Sequence, residues 1–136
     1  MATILLTGAT GYIGRRLELA LRERQNCSLR LLVRSARKLT AKTRQHAEIV
    51  EGDSFDPVAL ERAIAGVDTA YYLIHSMGSG HDFGELDRRS AGNFHQAAIA
   101  AGVKKIIYLG GLGERATASE HLASRLETGE ILSRSP

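Results

Sequence analysis

The sequence predicts an α/β fold with a doubly wound parallel sheet, on three observations. Short leucine-rich or β-branched runs recur along the 136 residues, segments with helical spacing lie between them, and three glycines spaced three apart mark the first junction. Such apolar runs are the pattern of strands covered on both faces. Strands separated by helix-length connections lie parallel, joined by right-handed crossovers with helices on both faces.

The first run is TILLT (3–7), and Ile13, Leu17, Ala20 and Leu21 after it have the spacing of an amphipathic helix. LRLLV (29–33) and AEIV (47–50) are the second and third strands. In DSFDPVALERAIAG, Asp56 is an N-cap, Pro57 opens the helix and Gly66 closes it. TAYYLI (69–74) is the fourth strand, followed by a helix with Phe83, Leu86, Phe94, Ala98 and Ala101 on its apolar side. KKIIYL (104–109) is the fifth, and a helical pattern over 118–134 runs up to Ser135 and Pro136. There are no internal repeats and no low-complexity tract.

Hydrophobic residues at 43% and charged residues at 24% exclude disordered and fibrous classes, and 136 residues make one domain of ordinary size. The N-terminus has no basic region before an apolar stretch, and no segment reaches the ~18 apolar residues of a membrane span. The single cysteine, Cys27, has no partner for an internal disulfide, so a reducing cytoplasm is the expected compartment. The net charge of +3 is unevenly placed: no acid lies between Glu23 and Glu48, where Arg24, Arg30, Arg34, Arg37, Lys38, Lys42 and Arg44 all fall. A nucleotide phosphate, a nucleic-acid backbone or water could satisfy that segment. Nucleic acid is disfavoured, because residues 24–47 contain no interleaved aromatics and no recognisable module.

Gly8, Gly11 and Gly14 sit where a dinucleotide site needs them, directly after a buried strand and before an amphipathic helix. The first glycine permits the tight turn, the second lets the backbone approach a pyrophosphate, and the third allows helix and strand to pack closely. The unpaired N–H groups of the helix start then face the phosphates. No Gly-Lys-Ser/Thr follows, which excludes a P-loop.

With its G-x-x-G-x-x-G spacing, TGATGYIG resembles the extended and atypical short-chain dehydrogenase/reductases, most closely the NmrA-like members. VEGD (50–53), VDTAYYLIHSMG and AAIAAGVKKIIYLGGLG resemble that family's third strand, fourth strand, and fourth helix with fifth strand. The resemblance covers the whole chain. It implies a Rossmann-type sheet of about five strands in the order 3-2-1-4-5, and residues 1–136 as the NAD(P)-binding portion of a longer protein. It implies cofactor contacts from Gly8, Thr10, Gly11, Tyr12, Ile13 and Gly14, from Asp53 to the adenine amino group with Ser54 beside it, and from Leu73, Ile74 and His75. Tyr72 and Ser76 at the fourth strand's end are expected beside the cofactor, or as loop residues that only close over the strand.

Where an acid would select NAD, the second strand ends in Arg34, followed by Arg37 and Lys38, so NADP is the expected cofactor, with Arg15 as a further phosphate candidate. The family's catalytic serine is replaced by Gly110 and Gly111, and its Tyr-x-x-x-Lys by His121 and Arg125. The four-residue separation keeps both side chains on one helical face. Histidine can exchange a proton near neutrality, whereas arginine can only hold a hydroxyl. His121 is thus a candidate acid/base or else a surface or capping histidine.

His75, His81 and Asp82 do not have the spacing of a metal site, and none is expected. Tyr71 and Tyr108 are expected as core or strand-edge residues, while His46 and His95 carry no evident chemistry. Two functions follow: an NADP-dependent oxidoreductase or epimerase-like enzyme acting on a small molecule, or a non-catalytic NADP(H) sensor or scaffold. The helices around 83–101 and 118–134 would serve a homodimer.

Overall fold

The chain enters through β1 (Ala2–Thr7), in which Ile4 to Thr7 are buried. The computed structural model describes residues 2–24, 26–74, 83–109 and 120–133, with the backbone alone for Phe83 and residues 120–125. After β1 come α1 (Tyr12–Arg22), β2 (Cys27–Val33), a 3-10 turn (Ala36–Lys38), α2 (Ala41–His46), β3 (Glu48–Glu51) and α3 (Pro57–Ile64). β4 (Thr69–Tyr72), α4 (Phe83–Ala101), β5 (Lys105–Tyr108) and α5 (Glu120–Leu132) complete the order. Every pairing is parallel and the strands lie β3-β2-β1-β4-β5, the expected order. The 3-10 turn and α2 are absent from the sequence reading, since three and six residues are too few to display a helical period.

Alternation along the strands divides the core between the two faces of the sheet. Leu5, Leu32, Ala70 and Tyr72 pack with Leu60, Ile64, Phe94 and Ile131 of α3, α4 and α5. Ile4, Leu6, Leu29, Leu31 and Val33 pack on the opposite face with Leu21 of α1 and Leu39. Each such leucine contributes about 1.5–3 kcal/mol by its burial. The crossovers through α1 and α2 cover one face and those through α3 and α4 the other. Strand order therefore reverses between the neighbours β1 and β4, which opens a crevice beyond their carboxyl ends.

The apolar stripe expected on α1 is rotated. Gly14, Glu18 and Leu21 are its buried residues, while Ile13 is 45% exposed and Ala20 is also exposed. A Cβ built at Gly14 would overlap the Gly8 carbonyl oxygen and lie 2.8 Å from its carbon, so the helix can seat on the turn only through Gly14. That contact decides which side chains one and two turns later face inward. Glu18, buried as a result, is held by Arg22, whose Nη2 lies 2.6 and 2.8 Å from its carboxylate oxygens and 2.8 Å from Thr43 Oγ1 on α2.

α3 begins as its sequence indicates: Asp56 Oδ1 accepts the Val58 N–H at 3.0 Å, Pro57 opens the helix, and Gly66 follows it at φ +74°. Its far end is held by Arg30 of β2, whose Nη1 donates to the Ala63 and Ala65 carbonyls at 2.7 Å each while Nε pairs with Glu48. β4 stops at Tyr72, short of the expected 74, because the Leu73 N–H turns to Thr7 Oγ1 at 3.2 Å instead of a neighbouring strand. No helix among the described residues is long and apolar enough to cross a membrane.

Candidate functional site

The glycine turn lies at the carboxyl edge of the sheet. Gly8 has φ +75°, and a Cβ there would meet the Leu73 carbonyl oxygen at 2.9 Å, so left-handed backbone and close approach both call for glycine. The Gly11 N–H donates to the Gly8 carbonyl at 3.1 Å, closing the turn. Gly11 is also the N-cap of α1, which has neither a side-chain cap nor an acid in its first turn. Its first N–H groups therefore lack intrahelical partners and, with the helix dipole, form an anion-receptive end. A Cβ at Gly11 would come no closer than 3.5 Å to Gly8 O, so packing within the chain does not demand glycine. Glycine's preference over alanine at an N-cap and access for a ligand are the remaining physical reasons.

Below the turn, Thr7 is fully buried. Its Oγ1 donates to the Tyr71 carbonyl at 2.8 Å and accepts the Leu73 N–H, pinning the exits of β1 and β4 together at the strand-order reversal. Only the pairing of β1 with β4 gives this threonine its role, and the sequence reading does not include it.

The turn opens into a crevice of about 370 Å³ lined by Gly8, Ala9, Thr10 and Gly11, by Leu32, Val33, Arg34, Ser35 and Lys38, by Gly52 and Ser54, and by Leu73 and Ile74. Eight of the expected cofactor residues thus meet on one concave surface: Gly8, Thr10, Gly11, Arg34, Lys38, Ser54, Leu73 and Ile74. Ala9, Leu32, Val33, Ser35 and Gly52 join them unanticipated, and their common signal is position at or just after a strand's carboxyl end. None of the described residues lining the crevice is acidic, and Arg34 and Lys38 give it two cations.

The other described candidates are not among the lining residues. Arg37 sits in the 3-10 turn beside Lys38 but outside the lining, and Arg15 faces a neighbouring cleft of about 520 Å³ between α1 and α2, together with Glu18, Arg22 and Lys42. Tyr12 and Ile13 are in the first turn of α1; Tyr12 is exposed, with the Arg16 guanidinium 3.9 Å above its ring. Asp53 uses its carboxylate in its own turn, accepting the Phe55 N–H at 3.0 Å. A groove of about 540 Å³ between α3 and α4, lined by Ala97, Ala100 and Ala101 among others, contains none of the expected residues.

Tyr72 does not face the crevice. It is 1% exposed, its ring lying 4.9 Å from Phe94 and 6.0 Å from Tyr108 between centroids, because the side chain of the last β4 residue alternates into the α4 layer. Its hydroxyl is 2.8 Å from Ser90 Oγ, and Ser90 Oγ donates to Ser54 Oγ at 3.1 Å. Burial pushes the phenol well above its usual range; the Ser90 hydrogen bond opposes the shift, while Asp87 and Tyr108 add to it. His75, Ser76, His81, Asp82, Gly110 and Gly111 lie outside the described residues. His121 and Arg125 fall in α5, with their side chains outside the described set.

Residues 8–132 match a family described as NAD(P)H-binding. Over 106 residues the chain is 39% identical to the (4-alkanoyl-5-oxo-2,5-dihydrofuran-3-yl)methyl phosphate reductase of Streptomyces griseus, an alignment covering 78% of this chain and 33% of that enzyme. Triphenylmethane reductase of Citrobacter sp. superposes with a TM-score of 0.79 at 27% identity, over 96% of this chain and 44% of that one. An NADPH-dependent quinone oxidoreductase of Escherichia coli, complexed with NADPH, superposes with a TM-score of 0.76 at 28% identity, over 96% of this chain and 44% of that one. The chain thus spans a third of the curated relative's length and under half of these two structures'. These matches bear out the resemblance to the atypical short-chain reductases, and with a Rossmann sheet, a glycine turn and an uncapped helix facing one crevice, the chain belongs to the NAD(P)H-binding family.

Proposed function

We propose that this chain is the NADP(H)-binding portion of an atypical short-chain reductase acting on a small molecule with a carbonyl or hydroxyl group. The observation that carries the NADP choice is the crevice rim: Arg34 and Lys38 line it, and no acid is among the described lining residues. A carboxylate there would favour the free 2′-hydroxyl of NAD, whereas a guanidinium fork suits a 2′-phosphate. The resident group fits: Gly14 brings the helix start against the turn, and the uncapped N–H groups receive a pyrophosphate.

Bound there, NADPH supplies a hydride. The chain's own residues orient it: the first turn of α1 holds the diphosphate, Arg34 and Lys38 neutralise the 2′-phosphate, and Leu73 with Ile74 presents an apolar wall that excludes water. His121 is assigned proton exchange with the substrate oxygen and Arg125, one turn on, a hydrogen bond to a hydroxyl. The relatives named as reductases support this reading.

The test is a titration with NADPH and with NADH followed by nicotinamide fluorescence, which no tryptophan of the chain obscures. NADPH is expected to bind at least about tenfold tighter, about 1.4 kcal/mol, and Arg34→Ala to weaken NADPH while leaving NADH nearly unchanged. Equal affinities would overturn the choice of NADP. Replacement of the family's serine, tyrosine and lysine by Gly110 or Gly111, His121 and Arg125 favours a second reading, a non-catalytic NADP(H) sensor. Turnover by the complete protein that disappears in His121→Ala supports the enzyme; cofactor-dependent partner binding without turnover supports the sensor.

A further inference from the structure

The cleft of about 520 Å³ between α1 and α2 is lined by four cations, Arg15, Arg22, Lys38 and Lys42, and by one acid, Glu18. Glu18 is buried and Arg22 holds both its carboxylate oxygens, so that pair carries no net charge. Arg15, Lys38 and Lys42 are exposed, and none of them is ion-paired among the described residues. The hydroxyls of Thr40 and Thr43, 3.0 Å apart, are engaged with each other, with the Thr43 N–H and with Arg22. The buried Nε of Arg22 meets no acceptor among the described residues. The donors left over therefore belong to cations, while Ala9, Leu19 and Leu39 supply an apolar wall. A space of this size suits a small molecule with a body, beyond a bare ion.

We propose that this cleft is a second anion site, separate from the dinucleotide crevice, for a small amphiphilic anion: a phosphate monoester or carboxylate on an aliphatic body. Arg15 and Lys42 take the head group, and Leu19 and Leu39 the body. The cleft shares only Ala9 and Lys38 with the crevice, and Leu73 and Ile74 on the β4 side line the crevice alone. The two sites thus meet at the rim assigned to the 2′-phosphate. One ammonium cannot serve two anions fully, and the anions repel each other, so filling the cleft weakens NADPH and spares NADH, which has no 2′-phosphate. This link rests on the dinucleotide reading above; the site itself does not.

The experiment titrates the chain with n-octyl phosphate below its micellar concentration, by calorimetry at low salt, with inorganic phosphate and octanol as controls. Octyl phosphate is expected to bind at least about tenfold tighter than either control, and more weakly as salt screens the exposed cations. Lys42→Ala should weaken it severalfold, and Leu19→Ser should weaken it while leaving inorganic phosphate unchanged. Both side chains are exposed, so the fold tolerates these changes. Saturating octyl phosphate should weaken NADPH severalfold and leave NADH unchanged, an effect lost in Lys42→Ala, whose own NADPH affinity stays that of the unmodified chain. Equal affinity for octyl and inorganic phosphate, or binding indifferent to Lys42→Ala, overturns the site. Weakened NADPH binding by Lys42→Ala in the absence of octyl phosphate also overturns it, because the cleft is then an extension of the 2′-phosphate site. Cosedimentation with phosphatidylglycerol vesicles without octyl phosphate binding assigns the cations to a membrane surface and likewise overturns it. NADPH affinity indifferent to octyl phosphate overturns the link through Lys38. Binding of neither nucleotide overturns the dinucleotide reading, while octyl phosphate binding that depends on Lys42 and Leu19 still upholds the site.

Discussion

At Gly14 the space for a side chain is already taken by the carbonyl of Gly8, whereas at Gly11 a methyl would make only ordinary contact with that oxygen. Equal spacing therefore conceals unequal roles, and substitution separates them. Gly14→Ala forces α1 off the turn, which should cost roughly 1–3 kcal/mol in urea unfolding and abolish NADPH binding. Gly11→Ala should change stability by no more than about 0.5 kcal/mol yet still weaken NADPH, because the added methyl obstructs the approach to the helix start. If Gly11→Ala proves as destabilising as Gly14→Ala, the assignment of Gly11 to ligand access is wrong. The triplet is legible in the sequence, but the atoms each glycine meets depend on where Gly8 and Leu73 are brought. Tyr72 shows the same limit: it sits at a strand end, yet its side chain enters the core.

Among elements, the acid-free segment between Glu23 and Glu48 reads as uniformly cationic, and the fold divides it by strand geometry. Arg30, within β2, reaches the carboxyl end of α3 and satisfies two of its terminal carbonyls, while Arg34, just beyond the strand, reaches the crevice. Arg30→Ala, which leaves those carbonyls without the charged donor, should lower unfolding free energy by roughly 1.5–3 kcal/mol and leave the NADPH Kd unchanged. Arg34→Ala should do the reverse. Side-chain period alone cannot make this division, because it requires knowing that α3 ends above β2. Helix α1 is a parallel case: its apolar spacing nominated Ile13 and Ala20, but seating on Gly14 turned Glu18 inward and required Arg22 to pair with it.

For the molecule as a whole, the buried Tyr72 phenol links global stability to alkaline pH. Its native pKa lies above the value of about 10 it takes in the unfolded chain, so its contribution is fully present below pH ~10 and is lost as pH rises beyond that, where only the unfolded chain ionises it. The stability advantage of the unmodified chain over Tyr72→Phe, about 0.5–1.5 kcal/mol for one hydrogen bond, should be constant from pH 6 to 9 and shrink above pH 10 in urea titrations. An advantage independent of pH up to 11 would contradict this account of the buried phenol. By itself the sequence determined the alternation of strands and helices, the parallel doubly wound sheet, and the glycine turn with Arg34 at the next strand end, while the strand order was implied by the family resemblance. These are local patterns, and chain handedness and short connections turn them into topology. Tertiary structure alone decided that Thr7 ties β1 to β4, that Arg30 serves α3, and that Ser54, Ser90 and Tyr72 form one chain of hydroxyls. Each of those contacts joins residues far apart in the sequence, so no local period or propensity records it.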